Sequence, residues 1–247
     1  MFVHRFDGKA LNYSKYRPRY PRRILRLLEA GVGLDNRSVV ADIGSGTGIL
    51  SELFLKNGNH VLSVEPNDEM RGIAERRLEK FGNRFVSVKG TAESTSLASR
   101  TVDLVAVGQA LHWFGPESRK EFRRILKGKR FVCVVYNDRR SNGRAETVYS
   151  KLVEEYGGDR GTVPEVDDTY ISQFLGNDQF TKFSIPNRQV LGYVGLLGRL
   201  ASASYMPGPG SQSWNALTRD VRDVIEHLGV RGRVTLHYLT RVYIGHV

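Results

Sequence analysis

The stretch Val39-Val40-Ala41-Asp42-Ile43-Gly44-Ser45-Gly46-Thr47-Gly48, residues 39–48, decides the fold. A β-branched apolar run ends on an acid, three glycines follow at alternate positions, and a helical segment lies near 47–57. Glycines at such a strand-to-helix turn let the backbone come close to a ligand, and the helix start beyond them offers free N–H groups. The spacing is G-x-G-x-G with the acid two residues before the first glycine. It lacks the G-x-G-x-x-G of pyrophosphate-binding turns, which a nicotinamide dehydrogenase would need. Glu65 ends the next apolar run, 21 positions after Gly44, where an acid can accept hydrogen bonds from both hydroxyls of a ribose.

Outward from this turn the same alternation continues. The runs SVVADIG (38–44), HVLSVEP (60–66), RFVSVKG (84–90), TVDLVAVG (101–108) and KRFVCVVYN (129–137) are separated by helical segments near 47–57, 67–80 and 115–127. These runs are nearly all apolar, as strands buried on both faces of a parallel sheet must be. The expected class is α/β, with a doubly wound, mostly parallel sheet. A helix is expected at 21–31, with Pro21 early and Gly31 late. Beyond Asn137 the alternation stops. Helices are expected at 142–157, over TYISQFLG, near 189–200 and at 213–228, with a strand near 180–185 and a closing strand within 229–247. The layout predicted is one domain over 1–247: a lid and helix at 1–31, a core at 32–137, a helical cap inserted after the fifth strand at 138–228, and the last strand.

Composition narrows the function. The 247 residues are 40% hydrophobic and 26% charged, enough for one large domain. No stretch approaches the roughly 20 consecutive apolar residues of a membrane span. The start, MFVHRFDGKALNYSKYR, has no apolar leader core, and a lone cysteine, Cys133, permits no intrachain disulfide, so a cytoplasmic location is expected. Cys133 lies mid-strand and reads as inert core. The six histidines show no metal-ligand spacing, and no metal is expected. The net charge is +11, with a local +7 over both 1–26 and 115–144 and about −6 over 145–180. That balance is compatible with nucleic acid, with an anionic small substrate, or with a solvated surface.

On ADIGSGTGILS, VEPNDEM, VKGTAES and DLVAVGQALHWF, the chain resembles the class I S-adenosylmethionine-dependent methyltransferases, especially the small-molecule group with type 11-like cores. The leading YSKYRPRYP, 13–21, is similar to the segment that folds over the cofactor in the trans-aconitate methyltransferase group. The resemblance implies S-adenosyl-L-methionine as cofactor, a Rossmann-like methyltransferase fold, and a cofactor site. In that site Asp42 lies near the methionyl amino group and Gly44, Ser45, Gly46 and Gly48 pass under the ligand. Glu65 holds the ribose, with Pro66, Asn67 and Met70 beside the adenine. Thr91, Ala92 and Glu93 continue the adenine side, although many relatives have an Asp where this chain has Thr91. Tyr13, Tyr16 and Arg17 are candidates for the methionyl carboxylate. Gln109 and Ala110 open a wall between cofactor and substrate that continues through Trp113 and Phe114 and excludes water from a methyl transfer.

For chemistry, His112 is a candidate general base, the alternative being a histidine that orients or packs. Trp113, Arg199 and Tyr205 are candidates for the substrate, against the alternatives of a core aromatic, an exposed arginine and a helix-end turn. Residues 1–20 are expected to be mobile without cofactor and ordered with it. The function expected is methyl transfer to a small molecule carrying a carboxylic acid or hydroxyl. Two alternatives stay open: an RNA or protein methyltransferase using the basic surface, and a non-catalytic S-adenosylmethionine-binding protein. The fourth strand ends in GQALHWF, not in the N/D-P-P-Y/F of enzymes that methylate exocyclic base amines.

Overall fold

The computed structural model describes residues 8–159 and 164–247. Residues 1–7, the start of the expected lid, lie outside the described residues, as do 160–163. A seven-stranded sheet has the order β3-β2-β1-β4-β5-β7-β6. The five expected strands are β1 (Val39–Ile43), β2 (His60–Val64), β3 (Phe85–Val88), β4 (Val102–Gly108) and β5 (Leu126–Arg139), all parallel. Strand β7 (Val234–His246) runs antiparallel between β5 and β6 (Phe180–Leu191). The chain leaves β1 for β2 on one side and returns to β4 on the other, so the strand order reverses beside β1. Ligands of open α/β sheets sit at such a reversal, outside the carboxyl ends of the strands.

Both sheet faces are covered, which is why the strands read as continuous apolar runs. One face packs α2 (Arg23–Val32) and α3 (Ile49–Asn57) through Ile24, Leu28, Leu53 and Phe54 onto Val40, Leu104 and Cys133. The other packs α5 (Ser118–Ile125) and α7 (Asp168–Leu175) through Phe122, Ile125, Ile171 and Leu175 onto Ile43, Val105 and Val134. Between β2 and β3 lies α4 (Asp68–Leu78).

Three expectations are corrected. The strand near 180–185 continues to Leu191, through Pro186; β6 is the sheet edge, where a residue without an N–H costs no ladder bond. The helix expected near 189–200 is therefore the shorter α8 (Tyr193–Ala201). The stretch 138–228 is not one cap either, because α7 belongs to the sheet face. The cap proper is α6 (Arg144–Tyr156), α8 and α9 (Gln212–Leu228), which enclose Tyr149, Leu152, Leu196, Leu200, Leu217 and Val221 against the far end of β7 at Leu236 and Tyr238.

The leading segment is helical over α1 (Ala10–Tyr16) and docks on α8 and α4. Gly198 makes this possible: a Cβ there would lie 2.2 Å from the Tyr16 ring. Ala10 and Tyr13 pack with Met70 and Ile73 of α4. The loop after β3 is anchored by Glu121, whose Oε1 accepts from Thr95 N at 2.9 Å and from Thr95 Oγ1 at 2.5 Å. Arg124 donates to the same carboxylate at 2.7 Å and, by this hydrogen bond, holds the carboxyl down at about 2.

The folded value lies below the usual 4.5, so this stabilisation is complete above the unfolded value and drains away as pH falls toward about 2. In urea titrations Glu121→Gln should destabilise the protein at about pH 6, and the gap to the natural chain should narrow at about pH 3.

Candidate functional site

Two adjoining cavities open at the strand reversal, of about 280 and 100 Å³. They share Tyr13, Gly44, Gly46, Gly108 and Gln109, and so form one cleft. Its floor is the glycine turn, which is pinned to β2: Val64 O accepts from Gly44 N at 2.9 Å and from Ser45 N at 3.1 Å. All three glycines have positive φ, but they serve different neighbours. At Gly44 a Cβ would lie 2.8 Å from Ala110 Cβ, and at Gly48 it would lie 2.6 Å from Leu78 Cδ1. At Gly46 nothing comes within 4 Å, and the added carbon would enter the cleft.

Two acids face this floor. Glu65 is buried, and its carboxylate is gripped by backbone: Oε2 accepts from Gly46 N at 2.8 Å and Oε1 from Asn67 N at 2.9 Å. Burial pushes its carboxyl up against those two bonds. Asp42 is completely buried; its Oδ2 accepts from Ser51 Oγ at 2.6 Å, whereas Oδ1 has no partner. Burial drives the Asp42 carboxyl up to about 7. An orphaned carboxylate oxygen lining a cavity is costly unless a ligand donor meets it.

The larger cavity is lined by Glu65, Pro66, Asn67 and Met70 on one side and by Thr91, Ala92 and Glu93 on the next. Asn67 Oδ1 accepts from Met70 N at 2.8 Å, capping α4, so this residue builds the helix start as well as the wall. Glu93 Oε1 accepts from Gly115 N at 2.6 Å, tying the loop after β3 to the loop after β4. Thr91, the departure from the pattern of relatives, accepts from Ser94 N through its hydroxyl at 3.2 Å. Gln109, Ala110, Trp113 and Phe114 close the opposite side. Gln109 has φ 59, a sparsely populated conformation for a non-glycine residue. Its Nε2 donates to Asn137 O at 3.1 Å, which fixes the end of β4 against the end of β5.

The smaller cavity runs from the glycine turn under α1. It is lined by Arg17, Tyr20, Asp42, Ser45, Asn137 and Arg199, among others. Arg199, the substrate candidate whose alternative was an exposed arginine, is 7% exposed. Burial and the charge of Arg199 both depress the Arg17 guanidinium.

Four expected residues lie off the cleft. Gly48 is buried against Leu78 beneath the turn. Tyr16 packs on Gly198 and offers its carbonyl to Gln189 Nε2 at 2.7 Å. Tyr205 sits against the cap core, with its carbonyl accepting from Gly158 N at 2.8 Å. The His112 Nδ1 lies 2.9 Å from Tyr136 Oη, outside both cavity walls. Conversely, Gly108, Tyr20 and Asn137 were not expected at the cleft. The signal for Asn137 was available, since it ends the fifth apolar run at the carboxyl edge of the sheet.

Residues 41–133 match the family described as the methyltransferase domain. Over these residues the chain is similar to methyltransferase domains. Among curated relatives of this family, an uncharacterized methyltransferase of Schizosaccharomyces pombe is 29% identical over 160 residues, 64% of this chain and 62% of that protein. Alignments cover 65% and 59% of two further relatives, so the chain spans about three-fifths of the length of the curated proteins it matches. A type II methyltransferase structure from Anaeromyxobacter dehalogenans shares the fold at a TM-score of 0.69 and 20% identity, over 94% of this chain and 98% of that one. The [4+2]-cyclase SpnF also shares it, at a TM-score of 0.55 and 14% identity, over 96% and 93% of the two chains. The fold alone therefore does not name a reaction. Among the described residues no metal-binding cluster exists, and no helix is long and apolar enough to cross a membrane.

Alanine at Gly48, which is closed in, and at Gly46, which is open, should separate structure from ligand space. Gly48→Ala should lose about 2–5 kcal/mol of stability, from the positive φ and the clash with Leu78. Gly46→Ala should lose only about 1–2 kcal/mol, from φ alone, as read by thermal or urea melts.

Proposed function

We propose that this chain transfers a methyl group from S-adenosyl-L-methionine to an oxygen of a small organic acceptor, a carboxylic acid or a hydroxyl. The observation that carries the reading is the unpartnered Asp42 Oδ1 at the floor of a cleft whose other acid, Glu65, is presented by backbone. The residues present fit the group. Asp42 would take the methionyl ammonium, and Gly46 leaves room beneath the ligand. Glu65 would take the ribose hydroxyls on the lone pairs that its two backbone donors leave unused. Pro66, Met70, Ala92 and Trp113 offer apolar walls for an adenine. When bound, the cofactor supplies a methyl group on a sulfonium for in-line displacement by the acceptor oxygen, leaving S-adenosyl-L-homocysteine.

What the protein adds is position and dryness. Gln109 is held in its unusual backbone conformation by Val135 O and Asn137 O, so the wall between the two cavities is rigid. Tyr13 of α1 and Arg17 just after it lie over the cleft, and α1 is clamped to α8 at Gly198. Such a roof favours acceptors that enter as separate small molecules over a loop of RNA or protein. A carboxylate acceptor needs no base. His112 is turned toward Tyr136, and no proton transfer is assigned to it.

Calorimetry is the test. S-adenosyl-L-homocysteine should bind and NAD should not, and Glu65→Ala should weaken the first by about 1–3 kcal/mol, the cost of leaving polar groups unmatched. Saturable NAD binding with no homocysteine-nucleoside binding would overturn the reading.

A further inference from the structure

Arg17 and Arg199 present an imbalance that the cofactor alone does not resolve. Both line the smaller cavity, and the Nε of each is buried without a hydrogen-bond partner. Their remaining contacts are neutral. Arg17 donates to Ser202 O at 3.2 Å and lies over the Tyr13 ring at 4.7 Å. Arg199 meets Ser202 Oγ at 3.4 Å, hydrogen-bonds the Tyr238 side chain and lies over the Tyr149 ring at 5.7 Å. Among the described residues neither guanidinium forms an ion pair. The acids that pair elsewhere, such as Glu52, Asp68 and Glu121, are engaged by other cations. Among the described residues the one acid lining this cavity is Asp42, across the turn.

Two arginines brought together at one serine without a carboxylate repel each other and pay for desolvation, so their retention calls for an anion that arrives from outside. A guanidinium fork matches a carboxylate bidentately. Resting on the function proposed above, the charge count is simple. The cofactor's ammonium answers Asp42, and its single carboxylate answers one guanidinium. The sulfonium brings a further positive charge. One buried guanidinium is then still uncompensated.

We propose that Arg17 and Arg199 form a two-carboxylate site, in which Arg17 takes the methionyl carboxylate and Arg199 takes a carboxylate of the methyl acceptor. The acceptor is thus an anionic small molecule, selected by charge before any methyl is moved. Arg199 is reached from α8 of the cap, so acceptor recognition is assigned to a part of the chain outside the 41–133 family match.

The test uses the whole chain saturated with S-adenosyl-L-homocysteine. Acetate, succinate and benzoate, each with its methyl ester as a neutral control, are titrated while the arginine Nε–Hε signals are followed by NMR and affinity by calorimetry. The acids should bind and shift the Arg199 signal, whereas the esters should do neither. Arg199→Gln should weaken the acids by roughly ten- to a hundred-fold, the range for hydrogen bonds to charged groups, and change the affinity of S-adenosyl-L-homocysteine less than about three-fold. Arg199→Lys, which keeps the charge and loses the fork, should fall between the two and guards against a glutamine variant that does not fold.

Three results would overturn the inference alone. One is acids binding the loaded protein no better than their esters. Another is an Arg199 signal that no acid moves. The third is an Arg199→Gln variant that loses S-adenosyl-L-homocysteine roughly ten-fold while 5′-methylthioadenosine, which lacks the amino-acid end, binds as before; that assigns both arginines to the cofactor. If S-adenosyl-L-homocysteine does not bind the natural chain at all, the function itself falls, and the two failures are told apart.

Discussion

A carboxylate with one satisfied oxygen and one bare oxygen lies completely buried at the end of the first strand, and the surroundings of Asp42 follow from it. Ser51 on α3 holds Oδ2, the glycine turn passes over the acid, and the turn is itself pinned to Val64 O on the neighbouring strand. Each of these contacts fixes the direction in which Oδ1 points. A lone buried acid is tolerated only if it stays protonated or finds a cation, and its elevated pKa is the expression of that choice. The second acid is handled differently. Glu65 is buried but held by two backbone N–H groups, one of them from the glycine turn, so turn and acid position each other.

Around this pair the sheet supplies a rigid frame and the chain ends supply the roof. Asn137, at the carboxyl end of β5, ties several segments together. Its carbonyl takes Gln109, its side-chain oxygen takes Thr240 and Asn187 at 2.6 and 3.2 Å, and its amide reaches Pro18 O at 3.5 Å. The edge between the two cavities therefore depends on β4, β5, β6, β7 and the leading segment at once. The roof depends on the absence of a side chain at Gly198, where the Tyr16 ring lies. Tyr16 is thus a docking residue for the helix that carries Tyr13, and leads into Arg17, over the cleft.

The parallel half of the fold was legible because its signal is local. Strands buried on both faces must be apolar throughout, and a glycine turn after the first of them has few other uses. The antiparallel half carries weaker signals. β6 alternates and contains Pro186, so periodicity ended it six residues early; only its place at the edge explains why it continues. α7 looked like part of the cap because its apolar residues, Ile171 and Leu175, do not say which surface they cover, and that surface is the sheet. The short α1, ALNYSKY, has too few apolar positions to show a helical period and is formed by its partners. The same contrast holds in the site. Residues on the glycine turn and at the ends of β2 and β4 were found by position, while the burial of Arg199 was not, since it follows from the packing of α8 against α1 and α6. Tyr205 packs on the cap core and, though it does not line the cleft, lies close enough to Arg199 and Arg17 to act on both charges.

The central claim, that Asp42 is kept for a cationic ligand group, is tested most directly by counting protons. Calorimetric titration of S-adenosyl-L-homocysteine at about pH 6, in buffers of different ionisation enthalpy, measures the protons released on binding. With the Asp42 carboxyl near 7 in the free protein, an arriving ammonium should stabilise the ionised form and release close to one proton, with release falling toward zero at about pH 8. Asp42→Asn should abolish it. Binding with no proton release at either pH, or with the same release in Asp42→Asn, would contradict the account.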